Sequence, residues 1–403
     1  MRIPELLAPA GDMERLEFAL LYGADAVYLA GKQFGMRAAV GNFDESELRQ
    51  AVVLAHARDV KVYLTCNAIP RNGDLAELPA FLELAQDVGV DALITADIGV
   101  FAMASRYAPK VQRHISTQAG ILNTESARAW YDMGASRVIL AREMSLSEIA
   151  ELCAKKPAGL ETEVFVHGAM CVSFSGRCLI SQYLAGRDAN QGSCAQPCRW
   201  KYHLVEESRP GEYMEIMEDT EGTHIMNARD LSMIAHLEAL AETGVDSLKI
   251  EGRAKSFYYA AVVTNAYRKA LDCIASGQPI DPLWIREIEH VSHRHYSTGF
   301  YFDQSGGGQH VGDASYIRGS TVIGVVEACD GDGFATVTQR NRFSVGDTLE
   351  IVTPDALPVS FVLEAMQDER GEPIEIAPHP MRQVGMRLPI QVPRQAILRR
   401  HDD

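Results

Sequence analysis

The sequence predicts an α/β protein: a TIM-type (β/α)8 barrel with a Cys-rich insertion after strand seven, plus a small C-terminal β-barrel domain. The first 280 residues alternate short β-branched runs with longer segments of helical periodicity, which is typical of βα units around parallel strands. No G-x-G-x-x-G motif follows the first strand, so a Rossmann fold is disfavoured. Four glycines each lie between a predicted helix and the next strand, where helices commonly end: Gly23, Gly89, Gly134 and Gly244.

Eight segments are predicted as the strands of the barrel, because eight βα units fit a closed barrel better than an open sheet. Helical segments lie between most of them, and Ser145 with Glu148 forms a predicted capping box. The strands are expected at Ile3–Ala8, Ala26–Ala30, Lys61–Cys66, Ala92–Thr95, Val111–Thr117, Arg137–Leu140, Thr162–His167 and Ser247–Ile250.

These patterns divide the chain into three regions. Residues 1–280 are expected to form a catalytic barrel domain, with a cluster-binding insertion at 168–226. Residues 281–319 are predicted to be a linker, because they include the glycine run SGGGQ. Residues 320–403 contain short strands and tight turns, such as DGDG at 330–333, which indicate a small β-barrel.

Composition and charge narrow the class of protein. Hydrophobic residues make up 47% of the chain and charged residues 23%, as in an ordinary globular protein. No apolar run is long enough to span a bilayer and no leader is recognisable, so a cytoplasmic location is expected. The net charge of −16 argues against general binding of polyanions. Two stretches are basic, however, and either could contact RNA: 171–201 has four cations and one acid, and 381–400 has five arginines and no acid.

Four of the eight cysteines lie close together, at Cys171, Cys178, Cys194 and Cys198. The insertion that carries them follows the seventh strand, so it lies on the rim where barrel enzymes form their active sites. Four sulfur ligands suit zinc or an iron–sulfur cluster, and the long, uneven spacings C-x6-C-x15-C-x3-C favour a cluster. A set of buried free thiols is the plainer alternative. Cys66, at the end of the third strand, competes for a ligand position.

Polar side chains follow the ends of several predicted strands, on the face where barrel enzymes act. Each one alone is more often a structural ion pair than a catalyst. The cations after the eighth strand are the stronger signal, because that part of a barrel often binds anions. The polar residues are Asp97, His114, Ser116, Gln118, Arg142, Glu143, His167, Lys249, Glu251, Arg253 and Lys255.

Longer motifs add a resemblance to a known family. The pattern E-x-F-x-x-G-A-x-C-x4-G-x-C-x-x-S, which begins at Glu163, resembles the signature of the collagenase-like peptidases, family 32 of the peptidases of unassigned type. Three further stretches resemble the branch of that family that hydroxylates tRNA: Asn190–Tyr202, Arg209–Leu231 and Ser247–Tyr259. The resemblance extends over nearly the whole chain.

The resemblance implies a function. It implies an enzyme that forms 5-hydroxyuridine at the wobble position of tRNA, with prephenate rather than molecular oxygen as co-substrate and a [4Fe–4S] cluster as cofactor. The cluster ligands would be Cys171, Cys178, Cys194 and Cys198. The expected catalytic residues are Arg142, Glu163, His167 and Glu251. The expected ligands of the prephenate carboxylates are Lys249, Arg253 and Lys255.

Other functions remain open from the sequence. Related branches resemble hydroxylation factors for ribosomal RNA or for a ubiquinone precursor. A metal-binding peptidase is a third possibility, but the sequence lacks a G-x-S-x-G nucleophile elbow and an H-E-x-x-H zinc motif.

Overall fold

The structure is a computed structural model that describes residues 2–36, 41–171, 173–200, 218–219, 222–223, 229–302, 316–354 and 356–402. Within these ranges, no helix is both long and apolar enough to cross a membrane.

Eight parallel strands close into a barrel, as predicted. The strand order is β11-β1-β2-β3-β4-β5-β6-β7, and β11 also pairs with β7, which closes the ring. Each predicted strand overlaps an observed one. The barrel strands are β1 (Glu5–Pro9), β2 (Ala26–Ala30), β3 (Lys61–Cys66), β4 (Ala92–Thr95), β5 (Gln112–Ile115), β6 (Arg137–Ile139), β7 (Glu161–Ala169) and β11 (Ser247–Ile250).

Helices surround this barrel and begin and end at the predicted signals. The Ser145 side chain accepts from the Glu148 backbone N–H, and the Glu148 carboxylate accepts from the Ser145 N–H, so the predicted capping box is present. All four predicted cap glycines have a positive φ. The helices are α1 (Met13–Leu21), α2 (Glu45–His56), α3 (Leu78–Val88), α4 (Ile98–Tyr107), α5 (Thr124–Asp132), α6 (Leu146–Lys155), α7 (Ile180–Ala185), α8 (Leu237–Glu242), α9 (Phe257–Ala275) and α10 (Pro282–Glu287).

Strands outside the ring extend the sheet beyond β7. Strand β10 (Asp230–Ser232) pairs antiparallel with the end of β7, and β12 (Tyr296–Ser297) pairs with β10. In the insertion, β8 (Glu218–Asp219) pairs with β9 (Gly222–Thr223).

The first part of the predicted linker belongs to the barrel domain. It contains α10, with a buried Trp284, as well as β12. The predicted linker thus begins with a helix that packs against the barrel core, which the composition around the glycines did not indicate. The SGGGQ run itself lies outside the described residues.

The C-terminal region is an antiparallel β domain with its own apolar core, as expected from its short strands and turns. Its main sheet has the order β17-β16-β22-β13-β14-β21-β18-β19, and β15 pairs with β20. The strands are β13 (Ser320–Cys329), β14 (Phe334–Gln339), β15 (Phe343–Ser344), β16 (Thr348–Val352), β17 (Val359–Val362), β18 (Met366–Gln367), β19 (Pro373–Ile374), β20 (Ile376–Ala377), β21 (Gln383–Arg387) and β22 (Ile397–His401).

Arg399 joins this domain to the barrel. The side chain is only 1% exposed, and its Nη2 lies 2.8 Å from Glu287 Oε1 on α10 and 2.8 Å from Glu350 Oε2 on β16. Its Nη1 also donates to the Tyr258 hydroxyl at 3.1 Å. Arg399 is therefore not available to RNA, contrary to the expectation for the arginines of 381–400. Arg400 is also engaged, in an ion pair with Asp347 at 2.8 Å.

Removal of this buried cation should destabilise the protein. Arg399→Ala would leave the Glu287 carboxylate buried without its partner, so we expect a loss of about 3–5 kcal/mol in the free energy of unfolding. Urea titration followed by circular dichroism measures it. Arg394→Ala is the matched control, because Arg394 is 71% exposed and lies 3.6 Å from Glu327; it should cost about 1 kcal/mol or less. Equal effects of the two variants would contradict the joining role of Arg399.

Candidate active site

A cavity of about 160 Å³ opens at the carboxyl ends of the barrel strands. Side chains alternate along a strand between the interior and the surrounding helices, so one residue in two can face the cavity. The insertion supplies the other part of its wall, from Cys171 to Cys198. The interior strand residues that line the cavity are Tyr28, Thr65, Ile94, Ile139, Phe165 and Lys249.

All four cysteines of the insertion line this one cavity: Cys171, Cys178, Cys194 and Cys198. Cys171 is exposed and the other three are partly buried. No group of three or more His, Cys, Asp or Glu side chains among the described residues is arranged to hold a metal ion. The segment thus brings the four thiols to the wall of one cavity.

Backbone N–H groups point at two of these sulfur atoms. The N–H of Ile180 donates to Cys178 Sγ at 3.4 Å, and that of Gln196 donates to Cys194 Sγ at 3.3 Å. Donors of this kind stabilise a thiolate and orient it as a ligand. Asn190 fixes the backbone of Cys178 from both sides: its Oδ1 accepts from the Cys178 N–H at 3.4 Å, and its Nδ2 donates to the Cys178 carbonyl at 3.1 Å.

Cys66 lies elsewhere. It is fully buried among apolar side chains between β3 and the helices, whereas the preceding Thr65 lines the cavity. Burial raises the pKa of the Cys66 thiol to about 12. The alternation of β3 therefore turns Cys66 away from the cavity, and the structure does not support it as a competing ligand.

Arg142 and Glu251 form an ion pair in the cavity wall. Arg142 Nη2 lies 3.0 Å from Glu251 Oε2, and Nη1 donates to the Ala169 carbonyl at 2.9 Å. The guanidinium also lies 3.8 Å from the centroid of the Phe165 ring. Its Nε has no hydrogen-bond partner among the described residues. Arg142 is thus held rigidly where a ligand can reach it.

Lys249 is the innermost cation of the cavity. Its Nζ lies 3.1 Å from Glu163 Oε1 and 4.4 Å from the centroid of the Tyr28 ring. Burial lowers the pKa of Lys249, and the Glu163 carboxylate opposes this shift. Glu163 itself is fully buried below the cavity, where its Oε2 also meets Arg137 Nη1 at 3.0 Å. Glu163, predicted to be catalytic, does not line the cavity and instead holds Lys249 in position from below.

The other two cations predicted to bind prephenate, Arg253 and Lys255, lie in different places. Arg253 is buried, lines the cavity, and donates to Asn42 Oδ1 at 3.2 Å. Lys255 does not line the cavity. Its Nζ donates to the Ser292 carbonyl at 3.0 Å and lies 4.4 Å from the centroid of the Tyr316 ring. Lys255, predicted to bind a carboxylate, therefore lies beside Ser292 and Tyr316 rather than in the cavity wall.

His167 is also outside the cavity. Its ring is buried among tyrosines, with Nδ1 3.3 Å from the Tyr267 hydroxyl and Nε2 3.4 Å from the Tyr296 hydroxyl. Burial lowers its pKa to about 3, so the ring is neutral. A bulge explains the placement: Lys249 pairs with Phe165, but Ile250 pairs with His167 instead of with the next residue. The bulge reverses the facing of β7 at this point, so the ring of His167, predicted to be catalytic, lies outside the cavity.

Comparison with known proteins identifies the family. The model of peptidase family U32 matches residues 11–310, and the model of the family's C-terminal domain matches residues 318–399. This chain belongs to peptidase family U32.

Relatives within the U32 family include proteins named for RNA hydroxylation. The tRNA hydroxylation protein P of Escherichia coli (strain K12) is 38% identical, over 93% of this chain and 91% of the relative. The tRNA hydroxylation protein P1 of Bacillus subtilis (strain 168) is 35% identical, over 96% and 92%. The 23S rRNA 5-hydroxycytidine C2501 synthase of Escherichia coli is 33% identical, over 86% of this chain and 52% of the relative.

Sequence reasoning missed several residues of this U32 cavity. Thr65 and Asn67 line it, lack charge and were not singled out, although Asn67 immediately follows β3. A polar residue just beyond the carboxyl end of a barrel strand is the signal that could have found Asn67.

The Glu163–Lys249 pair makes a prediction about pH. Removal of the carboxylate by Glu163→Gln takes away the largest influence that opposes burial, so the pKa of Lys249 should fall further. Because a lysine loses its charge as pH rises through its pKa, the ammonium should be lost at a lower pH than in the parent protein. NMR of ¹³C-labelled lysine side chains measures this titration.

Glu161→Gln is the control for this titration. Glu161 also binds Arg137, with its Oε2 2.7 Å from Nη2, but it is not paired with Lys249. An equal shift in both variants would show that Lys249 responds to net charge rather than to its own counter-ion.

Proposed function

We propose that this chain is a tRNA uridine 5-hydroxylase that forms 5-hydroxyuridine at the wobble position, with a [4Fe–4S] cluster as cofactor and prephenate as co-substrate, independently of molecular oxygen. The supporting observation is one cavity on the catalytic face of the barrel, lined by four cysteines and by buried cations. Relatives named for tRNA hydroxylation match more than nine-tenths of the chain.

The residues of the insertion fit an iron–sulfur cluster. Four thiols that line one cavity can serve as the ligands of a multi-metal cluster. The N–H groups directed at Cys178 and Cys194 would stabilise the ligating thiolates. The cluster would supply a redox-active or Lewis-acidic centre when bound, held by Cys171, Cys178, Cys194 and Cys198.

The cations of the cavity fit a dicarboxylate. Prephenate carries two carboxylates, and Arg142, Lys249 and Arg253 all line the cavity. Glu251 is the one acid among the described residues that line it, and it is paired with Arg142. Planar guanidinium groups bind carboxylates through two parallel hydrogen bonds. The buried Lys249 adds charge in a low-dielectric environment, where its attraction for an anion is stronger than in water.

The rim of the cavity fits a single-stranded segment of RNA. Exposed aromatic rings on which unpaired bases could stack accompany exposed arginines that could contact phosphates. This surface lies beside the cysteines, so a base could reach the cavity from it. The aromatic residues are Phe174, Tyr183 and Trp200, and the arginines are Arg177 and Arg187.

Analysis of RNA nucleosides tests the function. Mass spectrometry of tRNA from a strain that lacks this gene should show loss of 5-hydroxyuridine and its derivatives; any oxygen-dependent enzyme with the same product must also be deleted. Unchanged levels would overturn the proposal. The rRNA-modifying relative suggests a second measurement: loss of hydroxycytidine from 23S rRNA, with tRNA unchanged, would assign the chain to ribosomal RNA instead.

The cluster makes a further prediction. Protein purified without oxygen should be brown and contain about four iron and four sulfide ions per chain. Replacement of any of the four cysteines of the insertion by Ala should lower the iron content and bleach the absorbance. Cys66→Ala is the matched control and should keep both, because Cys66 faces away from the cavity. Full iron in Cys198→Ala, or loss of iron in Cys66→Ala, would contradict this ligand set.

The proposed prephenate site leads to a separate prediction. A charge-assisted hydrogen bond contributes about 1.5–3 kcal/mol. Arg253→Ala should therefore weaken prephenate binding by about ten- to a hundredfold, measured by calorimetry, with the absorbance of the cluster unchanged. Arg253→Lys should restore part of the affinity, because the charge returns without the planar fork. Lys255→Ala is the control and should change affinity by less than about threefold. Equal losses in the two alanine variants would place the donor elsewhere.

A further inference from the structure

Gln118 presents a hydrogen-bond donor to the cavity. It lies in the 3-10 helix Thr117–Ala119 directly after β5, is 4% exposed, and lines the cavity. Its Nε2 has no hydrogen-bond partner among the residues that the structure describes. The Ser116 side chain caps this short helix and holds Gln118 at the end of β5.

The neighbours of Gln118 fix which end of its amide meets the cavity. The backbone N–H of Met36 donates to Asn67 Oδ1 at 3.2 Å, so the other end of the Asn67 amide must be the donor. Asn67 Nδ2 then donates to Gln118 Oε1 at 3.1 Å, and the Ser116 hydroxyl donates to the same oxygen at 3.2 Å. Because Oε1 is occupied in this way, Nε2 is left as an oriented donor.

A buried donor without a partner is costly unless a ligand accepts from it. Thr65 Oγ1 lines the same cavity and is likewise buried without a partner in the described part of the chain. A hydroxyl can accept as well as donate. Together, Gln118 and Thr65 therefore offer a donor and an acceptor to a polar ligand.

We propose that Gln118 recognises the C4 carbonyl of the target uracil and thereby selects uridine over cytidine; this inference rests on the proposed function. Uracil presents an acceptor at O4 beside a donor at N3, whereas cytosine presents an amino donor at C4 beside an acceptor at N3. The donor of Gln118 matches O4 of uracil and opposes the amino group of cytosine, whereas the Thr65 hydroxyl can accept from N3 of uracil or donate to N3 of cytosine. A site built to bind one such pattern rejects the reverse pattern, because its buried groups would be left unpaired.

The position of Gln118 fits the C4 carbonyl better than the C2 carbonyl. The carbon to be hydroxylated, C5, is bonded to C4, so O4 lies beside the reacting position and O2 lies on the far side of the ring. Gln118 borders the cysteine-bearing wall: a β-carbon added to Gly176 would lie 4.0 Å from Gln118 Cγ, and Cys178 is two residues further along the chain. An acceptor next to C5 would therefore meet Gln118.

Gln118→Glu is the decisive variant. It keeps an oxygen for the hydrogen bonds from Asn67 and Ser116 and replaces the N–H donor with an acceptor. Cations that line the cavity, among them Lys249 and Arg253, favour the ionised carboxylate. Binding of an anticodon stem-loop with uridine at the wobble position should weaken by about ten- to a hundredfold. The ratio of cytidine to uridine hydroxylated should rise by at least about tenfold.

Two further variants sharpen this test. Gln118→Met removes the donor without adding an acceptor, so it should lower uridine binding without any gain for cytidine. Gln182→Glu adds the same charge at an exposed position on α7 and controls for repulsion of RNA. The absorbance of the cluster and the melting temperature show that each variant is folded and loaded.

Three outcomes would overturn the inference. In Gln118→Glu, these are an unchanged preference for uridine, a loss of prephenate affinity with the base preference intact, or a changed electron paramagnetic resonance spectrum of the cluster as the main effect. The second outcome would indicate that the Gln118 N–H donates to a carboxylate of prephenate, and the third that it donates to the cluster. If the parent protein hydroxylates neither a uridine nor a cytidine in the stem-loop, the proposed function fails instead. The relative affinity for stem-loops with uridine and with cytidine at the wobble position then still decides the role of Gln118.

Discussion

A buried ion-pair network inside the barrel supports the rest of the site. Arg137 is 2% exposed and lies 2.6 Å from Glu5 Oε1 on β1, while Glu163 joins Arg137 to Lys249. The interior of a TIM barrel is usually filled by branched apolar side chains, and burial of an ion costs several kcal/mol unless partners surround it. Each charge here meets an opposite charge, so the network can hold Lys249 directly under the cavity as a fixed cation.

The cysteine-bearing insertion depends in turn on the loops of the barrel. The Glu143 carboxylate accepts from the Ser175 N–H and from its hydroxyl, both at 2.7 Å. These bonds hold Ser175 at φ +44°, a conformation that L residues rarely adopt. On the other side, the Asn190 carbonyl accepts from the Ile69 N–H at 3.0 Å. The segment is thus anchored between the loops after β3 and β6, and the thiols face the cavity as a consequence.

The sequence was a good guide where periodicity decides the structure and a poor one where a single irregularity does. Eight βα units, their caps and the common cavity of the four cysteines follow from spacing and pattern. The bulge that turns His167 outward has no signal in a single sequence, because it depends on how β7 pairs with β11. The contacts of Lys255 and Arg399 could not be predicted for a related reason: a charge reveals its partner only when the packing of distant segments is known.

The strand order separates two kinds of chemistry across the cavity. In a ring of eight strands, β11 stands opposite β4, and β3 and β5 flank β4. Lys249 and Arg253 belong to β11 and the turn after it, whereas Thr65 and Gln118 belong to β3 and the helix after β5. An anion held by the cations would therefore face a base held by the uncharged side chains of Gln118 and Thr65, with the cysteine-bearing wall bordering both. Under the two proposals, prephenate and C5 of the base therefore lie on opposite sides of the cavity. A substitution on one wall should then change the selectivity for one ligand and leave the other ligand bound.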